Sequence, residues 1–182
     1  EHLTLKDAVG VDGRGLLAHS NDGAILACRV QNGVALQGTG AVGSLVGTNT
    51  GTIVACSHDG DTRAANATTV GGLVGENTGT IVASFQAGAV TGGTQRYGVA
   101  DGGTLTGCYY NSTLAPGVAE AAGVAGKATD YMQHPNAADG TGFVADLNQA
   151  LNNMTQPVQY EYVDRASSYP IVQAKSGSAT TP

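Results

Sequence analysis

Along the first two-thirds of the chain, short apolar runs alternate with polar, glycine-containing breaks, and the spacing of the breaks is regular. Three segments align without a gap at an interval of 28 residues: GLLAHSNDGAILAC (Gly15 to Cys28), GSLVGTNTGTIVAC (Gly43 to Cys56) and GGLVGENTGTIVAS (Gly71 to Ser84). Six columns are identical in all three: Gly15/Gly43/Gly71, Leu17/Leu45/Leu73, Asn21/Asn49/Asn77, Gly23/Gly51/Gly79, Ile25/Ile53/Ile81 and Ala27/Ala55/Ala83. A fourth, degenerate copy follows at a shift of 24, with Asp101, Gly103, Leu105 and Cys108 in the Asn, Gly, Ile and Cys columns. Each unit reads as a short strand (Leu73-Val74), a turn (Glu76-Asn77-Thr78-Gly79) and a second strand (Ile81-Val82-Ala83). Asn and Gly at the turn suit left-handed backbone. A glycine corner follows at Gly88 and Gly92-Gly93, with a third short strand near Val90. Nothing in the repeats has helical periodicity.

A unit this small cannot bury its own apolar face, whereas units stacked in register can. The pattern therefore predicts an all-β fold: a parallel β-solenoid of three to four coils, right-handed as parallel crossovers usually are. Leu17, Leu45, Leu73, Ile25, Ile53 and Ile81 should face inward. Neighbouring coils lie about 4.8 Å apart, so Asn21, Asn49, Asn77 and Asp101 form a structural ladder at the turns.

The motif G-G-L-V-G-x-N-x-G-T-I resembles the GLUG repeat family. Gly71 to Ile81 matches it fully, Gly43 to Ile53 differs at Ser44, and Gly15 to Ile25 matches loosely. The resemblance spans about Gly13 to Asn111. It implies a bacterial cell-surface or secreted protein, since the family includes adhesin-like proteins of gut Bacteroides and accessory repeats of some immunoglobulin-A-cleaving proteases. It implies no catalytic residue.

After Pro116 the repeat is lost, which divides the chain into a repeat region, 1–116, and a C-terminal capping segment, 117–182. Gly117 to Gly126 reads as a linker or an irregular last turn. Phe143, Leu147, Ala150, Leu151 and Met154 share one helical face, with Thr141 as candidate N-cap. Tyr160 to Val163 and Tyr169 to Val172 read as strands, and Lys175 to Pro182 as a disordered tail. A small α+β cap over the last coil is expected, because an open solenoid end exposes strand edges and core.

Composition narrows the chemistry. With 41% hydrophobic residues, 12% charged, 28 Gly and no Trp, the core must be built from small branched side chains. The net charge of −6 argues against nucleic acid and anionic membrane as partners. No apolar run is long enough to span a bilayer as a helix. The sequence opens at Glu1, without Met or a recognisable signal peptide, and is read as a processed chain on which that lack has no bearing for export.

Candidate sites are few. His58-Asp59-Gly60-Asp61 is the densest polar cluster, and acidic residues two apart can bind calcium. Its equivalents 28 residues on are Ala87 and Ala89, so a turn is the better reading. Polysaccharide-cleaving enzymes also use β-helices, but Arg63 aligns with Thr91 and Arg96 with Thr68, so no stripe of catalytic side chains forms. His19 and His134 have no evident partner, and no Ser lies in a G-x-S-x-G context. Cys28, Cys56, Ser84 and Cys108 share a column: a ladder of small interior residues, with a Cys28–Cys56 disulfide as the alternative. Asn66-Ala67-Thr68, Asn111-Ser112-Thr113 and Asn153-Met154-Thr155 are weak sequon matches. No catalytic, cofactor or metal site is expected.

Two functions fit: an adhesive surface module, or an accessory carbohydrate-binding module of a larger secreted enzyme. The candidate ligand surface is Tyr97, Tyr109 and Tyr110, with the loops Gln31 to Gly40, Asp59 to Ala67 and Ala87 to Tyr97 that differ between repeats. A host glycan or matrix protein is the expected partner.

Overall fold

The computed structural model describes residues 3–5, 14–133, 141–155, 158–165 and 168–176. The chain winds into a parallel β-solenoid of about four coils. Each full coil contributes a strand to five ladders. In order along the coil, these are Ala18–Asn21, Val46–Asn49 and Val74–Asn77; then Ala24–Leu26, Thr52–Val54, Thr80–Val82 and Thr104–Thr106; then a six-stranded face of Leu3–Leu5, Cys28–Val30, Ser57–His58, Phe85–Gln86, Cys108–Asn111 and Val124–Lys127. A fourth ladder holds Val34–Ala35, Thr62–Ala64 and Val90–Gly92, and a fifth Gly40–Gly43, Ala67–Gly71 and Gln95–Tyr97.

The register follows the repeat columns. Ile25 pairs with Ile53 and Ile53 with Ile81, while Ile81 pairs with Leu105, the shift of 24 read for the fourth copy. Leu45, Leu73, Ile53 and Ile81 are fully buried; Leu17 and Ile25, on the first coil, pack against the same core but remain partly exposed.

The glycine and alanine columns divide the backbone work differently from the sequence reading. Gly23, Gly51 and Gly79 are not in the left-handed region. Their role is close approach: a Cβ on Gly51 would sit 2.2 Å from the Gly23 carbonyl oxygen, and one on Gly79 2.1 Å from that of Gly51. The column that is left-handed in every coil is instead Ala27, Ala55 and Ala83, with φ of 53, 56 and 46°, and Gly107 in the fourth coil at 57°; of the glycine column only Gly103, in the fourth coil, is left-handed, at 73°.

The stack continues past the expected boundary at Pro116. Val124–Lys127 pairs with Cys108–Asn111, and Ala115, Val118, Ala121 and Val124 close the main core. Residues 113–126 are thus the irregular last turn, and they cover the C-terminal end. The α+β cap is present as helices α1 (Thr129–Gln133, not anticipated) and α2 (Phe143–Asn152) with an antiparallel hairpin of Tyr160–Val163 and Ile171–Ala174. It lies along the flank of the stack, however, not over the last coil. Phe143, Leu147, Leu151, Met132, Tyr162, Tyr169 and Val172 form a second core with Ala27, Val54, Ala55, Val82, Ala83, Phe85 and Ala87, outward-facing residues of three successive coils. Gly142, not Thr141, is the N-cap of α2 and makes no side-chain capping bond. The tail expected to be disordered includes Lys175, whose amide donates to Gln159 (2.8 Å); residues 177–182, like His134, lie outside the described residues.

Candidate functional site

The four predicted turn residues are brought together as a ladder. Asn21 Nδ2 donates to Asn49 Oδ1 and Asn49 Nδ2 to Asn77 Oδ1, both at 2.7 Å, and Asn77 Nδ2 ends the chain on the Gly102 carbonyl, also at 2.7 Å. Asp101 joins by accepting the Asn77 backbone N–H at 3.2 Å. Burial is the leading influence on the Asp101 carboxyl and raises its pKa. Asn49 and Asn77 are buried, so the ladder is structural hydrogen bonding in a dry site.

The predicted aromatic surface is not assembled. Tyr110 points into the solenoid, where its hydroxyl donates to Glu120 Oε1 at 2.9 Å; desolvation, then Glu120, push that hydroxyl up to about 12. Tyr109 points the other way and packs edge-on against Phe143 at 5.4 Å beneath the Lys127 ammonium, so it belongs to the flank interface. Tyr97, partly exposed, is at the end of a different ladder. Successive residues of a strand face opposite sides, which is why Tyr109 and Tyr110 cannot share one platform.

The His58-Asp59-Gly60-Asp61 cluster is likewise dispersed. His58 is buried in the interior, with Nδ1 3.1 Å from Thr62 Oγ1 and Nε2 2.8 Å from the Asn32 carbonyl, and burial lowers its pKa. Asp59 pairs with Arg29 under the flank cap; burial raises the carboxyl, and Arg29 Nε and Asp59 Oδ1 have no hydrogen-bond partner among the described residues. Asp61 pairs with Arg63 at 2.6 Å and accepts the Ala89 amide at 2.9 Å. Among the described residues no group of three His, Cys, Asp or Glu has metal-binding geometry.

The cysteine column forms an interior ladder of small side chains. The Cys28 amide points at Cys56 Sγ (3.4 Å) and the Cys56 amide donates to Ser84 Oγ (3.1 Å), and none of the three cysteines forms a disulfide. Burial holds the Cys56 thiol well above its usual value and pushes Cys108 up to about 12.

The loops that differ between repeats do converge. Val34–Ala35, Thr62–Ala64 and Val90–Gly92 pair in parallel, so Ala35, Arg63 and Thr91 form one exposed row. Asn66, Thr94 and Arg96 lie exposed at the adjoining corner. None of these positions belongs to the core of the flank cap. A separate groove of about 630 Å3 runs between the cap and the outward side chains Leu26, Thr52, Val54 and Thr80, closed by Met154 and Tyr160.

No family model matches the chain, and no curated protein or solved structure matches it either.

Proposed function

We propose that the chain is a non-catalytic repeat module of the GLUG type, displayed at a bacterial cell surface or secreted, and that it serves adhesion to a host glycan or matrix protein. The observation that carries this reading is the division of labour between columns. The residues identical in the three repeats are, Gly23 apart, engaged inside the stack, between coils or under the flank cap, whereas the loops that differ are stacked on one open face around Ala35, Arg63 and Thr91. A rigid scaffold presenting variable loops is the arrangement that recognition surfaces commonly use. The most reactive-looking polar groups, His58 and the Arg29–Asp59 pair, are buried in packing roles. An accessory carbohydrate-binding role drew on aromatic stacking; with Tyr109 and Tyr110 packed away, recognition by polar loops is the better supported of the two.

The test is an array of glycans and host-matrix proteins probed with the wild-type chain and with the combined Arg63→Ala, Asn66→Ala and Arg96→Ala variant. Selective binding lost in the variant, with unchanged circular dichroism, supports adhesion through this face. Release of reducing sugar or peptide fragments by the purified chain would replace the proposal with an enzyme.

A further inference from the structure

Cys28 and Cys56 stand one above the other in neighbouring coils. The residues that follow them pair in register, Arg29 with Ser57 and Val30 with His58, which sets the two cysteines at the coil spacing of about 4.8 Å. Their side chains lean together. Cys56 Sγ lies 3.4 Å from the Cys28 amide and 3.7 Å from the Ile25 carbonyl, both in the preceding coil, and the two thiols are hydrogen-bonded to each other. The rest of the column isolates this pair. Ser84 occupies the next rung, where its hydroxyl donates to the Val82 carbonyl at 2.9 Å and accepts the Cys56 amide at 3.1 Å. Cys108 is a rung further on, about 9.6 Å from Cys56 at that spacing, with its thiol turned to the Ile81 carbonyl at 3.4 Å.

A disulfide requires Cα atoms about 4.4–6.8 Å apart and Cβ atoms about 3.5–4.5 Å apart. At coil spacing Cys28 and Cys56 meet the first condition, and they meet the second when the coils close by roughly 0.3–1 Å at that rung. Cys56 and Cys108 meet neither. The closure strains the bond, and strain raises the reduction potential of a disulfide, so a link formed here is readily reduced again.

We propose that Cys28 and Cys56 are a redox pair, which a hydroperoxide oxidises to a reversible disulfide that fastens one coil to the next. Cys28, as thiolate, attacks the O–O bond. Its sulfur becomes a sulfenic acid, and the peroxide's other oxygen leaves as an alcohol or water, carrying the proton that the thiol gave up. The Cys56 sulfur then displaces hydroxide from the sulfenic sulfur, and that hydroxide takes the Cys56 proton and leaves as water. The two thiols have lost two electrons and two protons, and the cleaved O–O bond has gained both. An external dithiol reverses the step by exchange. The order of attack follows from the surroundings. The hydrogen bond from Cys56 lowers the pKa of the Cys28 thiol, whereas burial raises that of Cys56, so Cys28 is the one that supplies thiolate. The ring closed by the link spans residues 28–56, and the variable loop Gln31 to Gly40 lies inside it.

The experiment treats the intact folded chain with hydrogen peroxide at neutral pH, alkylates the remaining thiols, digests with trypsin and maps the peptides by mass spectrometry. Cleavage after Arg14, Arg29, Arg63, Arg96 and Lys127 puts the three cysteines on separate peptides, 15–29, 30–63 and 97–127. Peptides 15–29 and 30–63 should be joined, with Cys108 alkylated, far-UV circular dichroism unchanged and the link removed by dithiothreitol. The oxidised chain should melt roughly 5–10 °C higher than the reduced one. Cys108→Ser should oxidise as the wild type does. Cys56→Ser, a change that Ser84 shows the column to accept, should give no link and leave a Cys28 sulfenic acid that dimedone traps. Thiols that stay reduced in the folded chain, links that include Cys108 or a second chain, a link that survives dithiothreitol, or an oxidised chain that melts no higher would each overturn the proposal.

Discussion

Removing the middle rung of the asparagine ladder should cost far more than removing its first. Asn49→Ala deletes the bonds that Asn49 makes with Asn21 and Asn77, each 2.7 Å, for about 1 kcal/mol apiece. It also strands Asn77 Oδ1 in a dry site, since Asn77 is only 3% exposed, at a further ~1–3 kcal/mol. The sum is about 3–5 kcal/mol, or roughly 6–20 °C in Tm for a chain of this size. Asn21→Ala deletes one ladder bond and uncovers Asn49 Oδ1, but it does so beside the partly exposed Asn21 site, where the smaller side chain lets water reach that oxygen, and should cost about 1–2 kcal/mol. Asn49→Asp refines the test. Its carboxylate still accepts from Asn21 but opposes Asn77 Oδ1, acceptor against acceptor. Burial raises a carboxyl in such a site, so its folded-state pKa lies above the unfolded one. The deficit should therefore shrink as pH falls through that folded pKa, where the acid O–H can donate to Asn77; the Asn49→Ala deficit should not. Urea unfolding followed by far-UV circular dichroism, with the slope checked for constancy, measures all three. Equal costs for Asn49→Ala and Asn21→Ala would refute the directional ladder as a source of stability.

Close approach between coils predicts that Gly51→Ala, whose Cβ would lie 2.2 Å from the Gly23 carbonyl oxygen, unfolds or strongly destabilises the chain, as judged by thermal melts. At the flank, a Cβ on Gly107 would lie 2.3 Å from that of Ala150, so Gly107→Ala should cost about 2–4 kcal/mol from overpacking and left-handed strain. Adding Ala150→Gly should recover part of the loss, and a double-mutant cycle showing no coupling would contradict the contact. His58, held neutral by burial below its ordinary 6.5, favours folding above that pH, and the contribution is lost as pH falls through the folded pKa. Wild type should thus lose more stability than His58→Gln between pH 7.5 and 5.5, by up to about 1.4 kcal/mol, the single pH unit by which 5.5 lies below 6.5, measured by urea midpoints at both values.

The coil-to-coil contacts were legible because stacking is a nearest-neighbour relation with a constant offset. One alignment places Ile25 on Ile53 on Ile81, and the shift of 24 places Leu105 on the same ladder. Carried further, that shift would also have placed the tyrosines. Tyr109 falls in the Phe85 column and Tyr110 in the Gln86 column, so the second had to point inward with His58 and Gln86. The position of the cap was harder to read. Its clue was the third residue of each T-I-V strand: with Ile53 and Ile81 inward, Val54 and Val82 face out, yet they are apolar and buried. An apolar outward column predicts a cover, but which segment supplies it depends on the relief built up by several coils together, and no local spacing encodes that.

The alanine column shows how closely stack and cap depend on one another. Holding an L-residue in the left-handed region costs roughly 1–2 kcal/mol, and the chain accepts this at Ala27, Ala55 and Ala83, where glycine would be free of it. The methyl groups explain the choice, because all three are buried in the core that joins the coils to α2 and the hairpin. In the fourth coil α2 comes nearest, Ala150 leaves no room for a methyl, and the same backbone position is Gly107. Tyr162 then crosses the interface to donate its hydroxyl to the Ala83 carbonyl at 2.7 Å, at the strained residue itself. Strain on the corner is thus offset only when the cap is docked, and the cap's aromatic core is covered only by the corner. The two regions, distinct in sequence pattern, therefore form a single cooperative unit. A chain cut after residue 128 would keep the strained corner, expose Phe85, Val54 and Val82 to water, and aggregate instead of surviving as a shorter solenoid.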